Sequence, residues 1–323
     1  MNSQKKLIVS HAPFLHIGSG ITERNLHIIY AALPALLLGG LFRFGIPAIG
    51  VVCLSVSTAM LWELLMNRAM KRPVSVGDGN AALIGLLLAM LLPAMAPWWL
   101  VITGTFVAIV IGKQIFGGIG GNAFNPVALS VAILMVSWKD YFDFNGMLMN
   151  YDPDFIMAYP LATLKNFGVS GIEQYSIGDF LIGRQSGGIG ATFGIGLILG
   201  GAYLIMRGFI RWEISIAYLA GVFVTALLFN LVDPTRYADP FFHIFTGYTL
   251  IGAFFLATED SSSPVNFIPM LIFGLGCGIM TVLIRNLGVY YHGVVFAILL
   301  MNITNPLLDK IYPKAIGKVV ENA

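Results

Sequence analysis

The sequence predicts an all-α polytopic membrane protein of about ten transmembrane helices, arranged as two inverted five-helix halves in a transporter-like fold. Three observations lead to this fold class: the composition, a series of long apolar runs and a weak internal repeat. Of the 323 residues, 57% are hydrophobic and only 11% are charged, whereas about a quarter of the residues in soluble domains are charged. A lipid bilayer is therefore expected to surround most of the chain.

Ten apolar runs are bounded by charged residues, proline or glycine. A helix needs about 20 residues to cross the hydrocarbon core of a bilayer. The predicted spans are residues 27–46, 47–66, 79–96, 98–116, 124–138, 188–206, 213–232, 241–257, 266–284 and 289–307. The fifth is short, which indicates a tilted or broken helix. These spans divide the chain into an N-terminal segment (1–26), a first membrane half (27–138), a long loop (139–187), a second membrane half (188–308) and a tail (309–323).

The distribution of basic residues predicts the orientation. With the N-terminus inside, twelve of the 18 basic residues lie on the inner side: Lys5, Lys6, Arg24, Arg68, Lys71, Arg72, Lys113, Arg207, Arg211, Lys310, Lys314 and Lys318. The other six lie on the outer side: Arg43, Lys139, Lys165, Arg184, Arg236 and Arg285. Because basic residues in short loops stay in the cytoplasm, both termini are predicted to be cytoplasmic in the cell (inner) membrane.

The loop 139–187 then lies outside. Connections longer than about 15 residues are usually functional or disordered, and a solvated insertion is the alternative. This loop carries Asp140, Asp143, Asp152, Asp154, Glu173 and Asp179.

An internal repeat links spans three to five with spans eight to ten. Three positions recur 167 residues later: Gly85, Pro97 and Gly121 return as Gly252, Pro264 and Gly288. Five helices is an odd number, so the second half would be inverted in the membrane. Chance recurrence among 37 glycines is the alternative.

Glycine-rich junctions are the candidate sites. The segment Gly117–Pro126 precedes span five, where glycines allow close backbone approach. Asn122 and Asn125 add polar side chains at membrane depth, where such groups are costly unless they are paired or used. The segment predicts a cofactor or ion site, and helix packing through small residues is the alternative.

Two further junctions open predicted spans. Asp78 lies in Gly77–Gly85 near the start of span three, where its carboxylate is expected to cap the helix. The segment Ser186–Gly194, with Gly190 and Thr192, precedes span six. Glycines and hydroxyls at a helix N-terminus are typical of a phosphate site.

The sequence lacks the residues that several kinds of binding site require. Cys53 and Cys277 stand alone and the five histidines are scattered, so the chain has no ligand set for zinc or an iron–sulfur cluster. It has no Rossmann or Walker motif for a nucleotide. The scattered basic residues do not predict binding to nucleic acid. Among polar groups in the spans, Glu63 is expected to extend to the interface. Glu259 and Asp260 are expected at a helix end in contact with water, with a role in handling a cation or proton as the alternative.

Several segments in order resemble the RnfD family, whose members belong to the Rnf electron-transport complex and are similar to NqrB of the sodium-translocating NADH:quinone reductase. The matching segments run from the start of the third span to the end of the last: Gly77–Ala82, Gly85–Ala89, Gly117–Pro126, Pro160–Lys165, Gly187–Thr192, Ala257–Thr258, Ser262–Pro264, Gly293–Asn302 and Pro306–Asp309.

The resemblance implies a flavoprotein component of a translocase in the lipid bilayer. That complex transfers electrons between reduced ferredoxin and NAD and moves Na⁺ or H⁺. The implied partners are the other Rnf proteins (RnfA, RnfB, RnfC, RnfE and RnfG). Ferredoxin and NAD would interact with those proteins and not directly with this chain. The implied cofactor is FMN, or riboflavin, and the family links FMN through its phosphate to a threonine in the outer loop.

This chain departs from the family at the attachment position. The family's threonine directly precedes Pro-Leu, whereas here Tyr159 precedes Pro160, and the stretch Phe155–Ala158 keeps only the alanine of the acceptor pattern. We expect noncovalent FMN beside Tyr159, or loss of this flavin, ahead of attachment at Thr192. Attachment through the Tyr159 phenol ranks last.

A channel or secondary transporter for a small solute is the rival function, because inverted repeats and glycine-broken helices occur there as well. A flavin spectrum of the purified protein distinguishes the two.

Overall fold

Long apolar runs separated by glycine and proline fold here into helices and the loops that join them. The computed structural model describes residues 20–142, 144 and 158–311. Several residues used in the predictions lie outside this part of the chain: Lys5, Lys6, Asp143, Asp152, Asp154, residues 155–157, Lys314 and Lys318. Within the described residues no β-strand occurs.

The α-helices follow the predicted spans, and two short ones lie in the long loop. They are α1 (Gly20–Pro34), α2 (Phe42–Ala69), α3 (Asn80–Leu91), α4 (Trp98–Phe106), α5 (Pro126–Ser137), α6 (Pro160–Phe167), α7 (Ile177–Ile182), α8 (Gly194–Met206), α9 (Trp212–Val232), α10 (Pro240–Phe245), α11 (Thr249–Ile251), α12 (Phe267–Leu287) and α13 (Gly293–Leu308). Wider π-helical turns extend α1, α4 and α11 over Ala35–Leu41, Val107–Gln114 and Gly252–Leu256.

Three helical stretches are long and apolar enough to cross a membrane: Gly20–Ala69, Trp212–Val232 and Phe267–Leu287. Shorter apolar helices pack among them, including α3, α5, α8 and α13. The prediction of an all-helical membrane protein is confirmed at this level.

Helix boundaries differ from the predicted spans where glycine takes a left-handed conformation. The first two spans form one stretch that breaks at Gly45, whose φ is 66°. The eighth span, predicted over residues 241–257, breaks between α10 and α11 at Gly247, whose φ is 65°. A Cβ atom at Gly247 would lie 2.7 Å from the Leu161 side chain, so close packing and backbone conformation both favour glycine there.

Helix α3 lies at the centre of the first half. Residues 83–92 are buried without interruption, so this short helix is enclosed by protein on every side. Gly85 allows α2 to approach it, because a Cβ atom at Gly85 would lie 2.8 Å from the Ser55 carbonyl oxygen. The Ser55 hydroxyl donates to the Gly85 carbonyl at 2.6 Å, which fixes the crossing.

Helices α9 and α12 are joined through glycine. A Cβ atom at Gly278 would lie 2.3 Å from the Tyr218 carbonyl oxygen, and one at Gly221 would lie 2.7 Å from that of Leu275. Small residues spaced four apart, here Gly274 and Gly278, let two membrane helices bring their backbones together.

This contact gives a stability prediction. Gly278→Ala should destabilise the protein by about 1–3 kcal/mol, because the added methyl group overlaps the backbone of α9. Gly50→Ala is the matched control, since a Cβ atom at Gly50 meets nothing within 4 Å. Thermal unfolding of the full chain in detergent should show a lower midpoint only for Gly278→Ala. Equal midpoints would show that the two helices separate at little cost.

Candidate functional site

Asn125 joins the two membrane halves at the start of α5. Its side-chain oxygen caps α5 by accepting from the Ala128 N–H at 2.9 Å. Its side-chain amide donates to the Leu256 carbonyl at 2.9 Å, at the end of the π-helical turn after α11. Its backbone N–H donates to Asn302 Oδ1 on α13 at 3.1 Å. One buried asparagine therefore connects α5, the π-helical turn after α11 and α13.

Asn122 and Glu259 form the next layer of this junction. The Asn122 side-chain amide donates to Glu259 Oε1 at 3.1 Å. The Ser262 N–H and hydroxyl donate to Glu259 Oε2 at 3.1 Å and 2.5 Å. Asn302 donates to the Ser262 carbonyl at 2.8 Å and holds this turn against α13. Both carboxylate oxygens of Glu259 thus have partners within the protein.

Arg24 closes the junction from α1. Its guanidinium forms an ion pair with Asp260 at 2.6 Å and donates to the Phe209 carbonyl at 2.9 Å. It also approaches the Thr258 carbonyl at 3.4 Å. The irregular backbone after the π-helical turn therefore takes its hydrogen bonds from α1, α5 and α13.

One pocket lies between α1, α3, α5 and the break after α11, and Arg24, Asn122, Asn125 and Glu259 line it. Its apolar wall comprises Ile28, Leu83, Ile84, Leu87, Phe254 and Phe255. Its polar groups include Arg24, Asn25, Asn80, Lys113, Asn122, Asn125 and Glu259. An apolar cleft with a few convergent polar groups is typical of a site for an organic cofactor. We call it the inner pocket.

Asp78 lies beside this pocket but does not line it. Its Oδ1 accepts from the Asn80 N–H at 2.8 Å at the start of α3, and its carbonyl accepts from the Asn25 side chain at 2.9 Å. Burial raises the pKa of Asp78 above its ordinary value. Asn25, Asn80 and Asn302 were not predicted from the sequence, although asparagine within apolar runs is the same signal that selected Asn122.

Glu63 does not extend to the interface as expected. Its side chain is 0% exposed and pairs with Lys113 at 2.8 Å. The same carboxylate oxygen accepts from the Ser75 hydroxyl at 2.6 Å. The other oxygen, Oε2, is buried and has no hydrogen-bond partner among the described residues. The expectation failed because Lys113, on the wide turn after α4, supplies a cation inside the protein.

The second group of predicted residues lies near α6. Tyr159 precedes α6 and Pro160 is its first residue. The Tyr159 side chain is 2% exposed. Its ring lies 5.2 Å from that of Phe144, 5.5 Å from that of Tyr291 and 5.1 Å from that of His292. Its hydroxyl lies 3.2 Å from His292 Nδ1. Burial raises the pKa of the Tyr159 phenol, which therefore stays protonated.

Gly190 and Thr192 lie in the loop before α8, which covers the C-terminal end of α3. The Gly190 N–H donates to the Met90 carbonyl at 2.9 Å, and the Ile189 N–H donates to the Leu92 carbonyl at 3.1 Å. A Cβ atom at Gly190 would lie 2.4 Å from the Met90 side chain. Thr192 is buried, and its hydroxyl has no hydrogen-bond partner among the described residues.

The structure brings Thr192 and Tyr159 together. A Cβ atom at Gly187 would lie 3.0 Å from Thr192 Cγ2 and 3.9 Å from Tyr159 Cε2. The two alternative flavin positions in the sequence therefore belong to one region, which we call the outer site. The inner pocket lies at the N-terminal end of α3 and the outer site at its C-terminal end. The 12 residues of α3 separate them by about 18 Å.

Comparison with known proteins gives one family. The model of the NQR2, RnfD, RnfE family matches residues 8–317. The chain is 35% identical over 310 residues to the D component of the Na⁺-translocating ferredoxin:NAD⁺ oxidoreductase complex of Acetobacterium woodii, covering 95% of this chain and 94% of the relative. It is 36% identical over 309 residues to the proton-translocating counterpart of Clostridium ljungdahlii, covering 94% and 93%. It is 34% identical over 322 residues to the D component of the ion-translocating oxidoreductase complex of Halorhodospira halophila, covering 90% of each.

The buried ion pair gives a prediction by double substitution. Lys113→Met leaves the Glu63 carboxylate without a cation and should destabilise the protein by about 3–5 kcal/mol. Adding Glu63→Met removes the unpaired charge and should recover most of that loss. Thermal unfolding of the full chain measures both effects, with Lys71→Met at the exposed end of α2 as the control. A double variant no more stable than Lys113→Met would contradict coupling between the two charges.

Proposed function

The chain belongs to the NQR2, RnfD, RnfE family, and on this basis we propose that it is the membrane component RnfD of an ion-translocating ferredoxin:NAD⁺ oxidoreductase, the Rnf complex. The observation that carries the proposal is the match over residues 8–317, joined to relatives of that name that align over nine-tenths or more of both chains. The protein takes part in electron transfer coupled to the movement of Na⁺ or H⁺, and the other members of the complex react with ferredoxin and NAD⁺.

The inner pocket is the first proposed flavin position. Phe254, Phe255 and the aliphatic wall of α3 suit an apolar ring, while Asn122 and Asn125 place polar groups at its edge. Isoalloxazine combines an apolar face with hydrogen-bonding edges, so the chemical character of these residues suits the group. When bound, the flavin supplies the electron-transfer chemistry. The protein's residues hold the ring, exclude water and set the polarity around it.

The outer site is the second proposed position, and the FMN there is held without a covalent bond. The Tyr159 phenol is enclosed by Phe144, Tyr291 and His292 and has His292 as a polar neighbour. These contacts favour a packing role beside a flavin over a role as the attachment point. The buried Thr192 hydroxyl, which has no hydrogen-bond partner among the described residues, makes Thr192 the next alternative.

Two inverted halves form the proposed architecture, with about ten spans and both termini in the cytoplasm. A similar contact in each half supports a repeat. Ser55 on α2 donates to the Gly85 carbonyl at 2.6 Å, and Ser215 on α9 donates to the Ala253 carbonyl at 2.9 Å. The twelve-to-six distribution of basic residues supports this orientation, with the inner pocket on the cytoplasmic side and the outer site on the opposite side.

Asn125→Ala tests the role of the inner pocket. It should lower ferredoxin-dependent NAD⁺ reduction by the assembled complex about tenfold, because it removes polar contacts worth about 1–3 kcal/mol at the flavin edge. Ser130→Ala is the matched control, since Ser130 makes a buried bond to the Gly104 carbonyl from the same helix but does not line the pocket. Activity and assembly of the complex are measured together. If Asn125→Ala and Ser130→Ala lower activity and assembly to the same extent, a packing role for Asn125 is favoured.

The flavin linkage is tested by denaturation. A phosphoester to a hydroxyl survives unfolding, whereas packing and hydrogen bonds in a folded pocket do not. We expect no flavin fluorescence at this protein's position in a denaturing gel, although the native complex releases FMN on unfolding. Fluorescence that persists but disappears in Thr192→Ala would place the link at Thr192 and contradict the proposal. A native complex without flavin in this protein would favour loss of this flavin and leave the protein as a scaffold and ion path.

A further inference from the structure

A second polar pocket lies beside α6, α10 and the end of α12. It has a cavity volume of about 320 Å³, which is room for several waters or a small polar group. Its lining includes six residues with polar side chains: Lys165, Arg236, His243, Arg285, Asn286 and Tyr291. We call it the basic pocket. None of the described residues that line it is a carboxylate.

Arg285 is the central charge of the basic pocket. Its side chain is buried, with the whole residue 4% exposed. Its guanidinium donates only to neutral oxygens: the His243 carbonyl at 2.8 Å, the Thr246 carbonyl at 3.3 Å and the Thr249 hydroxyl at 2.8 Å. Among the described residues no carboxylate lies within ion-pair distance. A buried cation without an anion is unfavourable, so the pocket favours a negative partner.

Unused donors around the pocket support the same conclusion. Within the described part of the chain, Arg285 Nε and Asn286 Nδ2 are buried donors without a hydrogen-bond partner, and the buried imidazole of His243, whose ring nitrogens also have no partner, offers one further N–H. Lys165 and Arg236 lie at the exposed rim and add positive charge. Buried donors are normally satisfied, and an oxyanion would accept from several of them at once.

We propose that the basic pocket binds a tetrahedral oxyanion, namely a phosphate group. A planar guanidinium with additional N–H donors matches the geometry of phosphate oxygens. The phosphate has three possible sources: free inorganic phosphate, a lipid head group or the phosphate of FMN. The last source fits the location, because a Cβ atom at Gly247 would lie 3.1 Å from the Tyr159 hydroxyl and 3.2 Å from Arg285 Nη2. The oxyanion site itself does not depend on the proposed function.

A structural role accounts for part of the arrangement. Arg285 holds the carbonyl end of α10, and Lys165 Nζ donates to the Gly288 carbonyl. Variants of Lys165 and Arg236 therefore give the sharper test, since both side chains are exposed and their replacement leaves the buried core of the protein unchanged. Arg285→Lys keeps the charge of the buried group but removes its planar fork.

Phosphate binding to the full chain in detergent is measured by the shift in thermal midpoint on titration with inorganic phosphate against chloride at constant ionic strength. We expect phosphate alone to raise the midpoint. Lys165→Gln/Arg236→Gln should weaken binding about tenfold, and Arg285→Lys should weaken it to a similar extent. Arg68→Gln/Arg72→Gln, which removes two exposed charges at the end of α2, should leave binding unchanged.

Three results would overturn the proposal: equal effects of phosphate and chloride, equal weakening by the control pair, or unchanged binding in both pocket variants.

The source of the phosphate is identified in the same assay. If FMN competes with inorganic phosphate and riboflavin, which has no phosphate, does not, the source is the phosphate of FMN. A phosphate response that is present in maltoside detergent, which carries no phosphate, but lost in phosphatidylglycerol nanodiscs assigns a lipid head group. A response unaffected by any of these additions supports free phosphate. Each of these outcomes leaves family membership untouched.

Discussion

The hydrogen bonds at the two ends of α3 are the constraint on which much of the structure depends. Its 12 residues rise about 18 Å, well short of a hydrocarbon core of about 30 Å. No water is available at that depth, so its terminal backbone groups need partners within the protein. Ile189 and Gly190 supply N–H donors at one end, the Tyr248 hydroxyl donates to the Leu91 carbonyl, and Asp78 accepts at the other end.

The same constraint recurs in the second half and places the inner pocket. The π-helical turn Gly252–Leu256 ends within the protein, and Asn125 and Arg24 bond to the carbonyls that it and the following residues leave exposed. The side chains that complete the backbone are the ones that line the pocket. Stability and the proposed cofactor binding therefore depend on the same side chains, and a substitution there must be compared with a matched change elsewhere in the same helix.

The sequence predicted the features that depend on local pattern. Apolar runs located the helices, and asparagines within glycine-rich segments pointed to the junction around Asn122. Contacts between distant segments were not predictable from such patterns. The partner of Glu63 is 50 positions away on another helix, and the contact that joins Thr192 to Tyr159 passes through Gly187. The basic pocket combines side chains from α6, α10 and α12, which no spacing rule connects.

The position of α3 between the two sites also has an electrostatic consequence. Peptide dipoles give a helix about half a positive charge at its N-terminus and half a negative charge at its C-terminus. Asn80, Leu83 and Ile84 bring the positive end to the inner pocket, while the carbonyls of Met90 and Leu92 turn the negative end toward the outer loop. A redox group at the inner end is therefore easier to reduce than the same group at the outer end. With flavins at the two proposed positions, the field of this short helix would favour electron flow from the outer site toward the inner pocket.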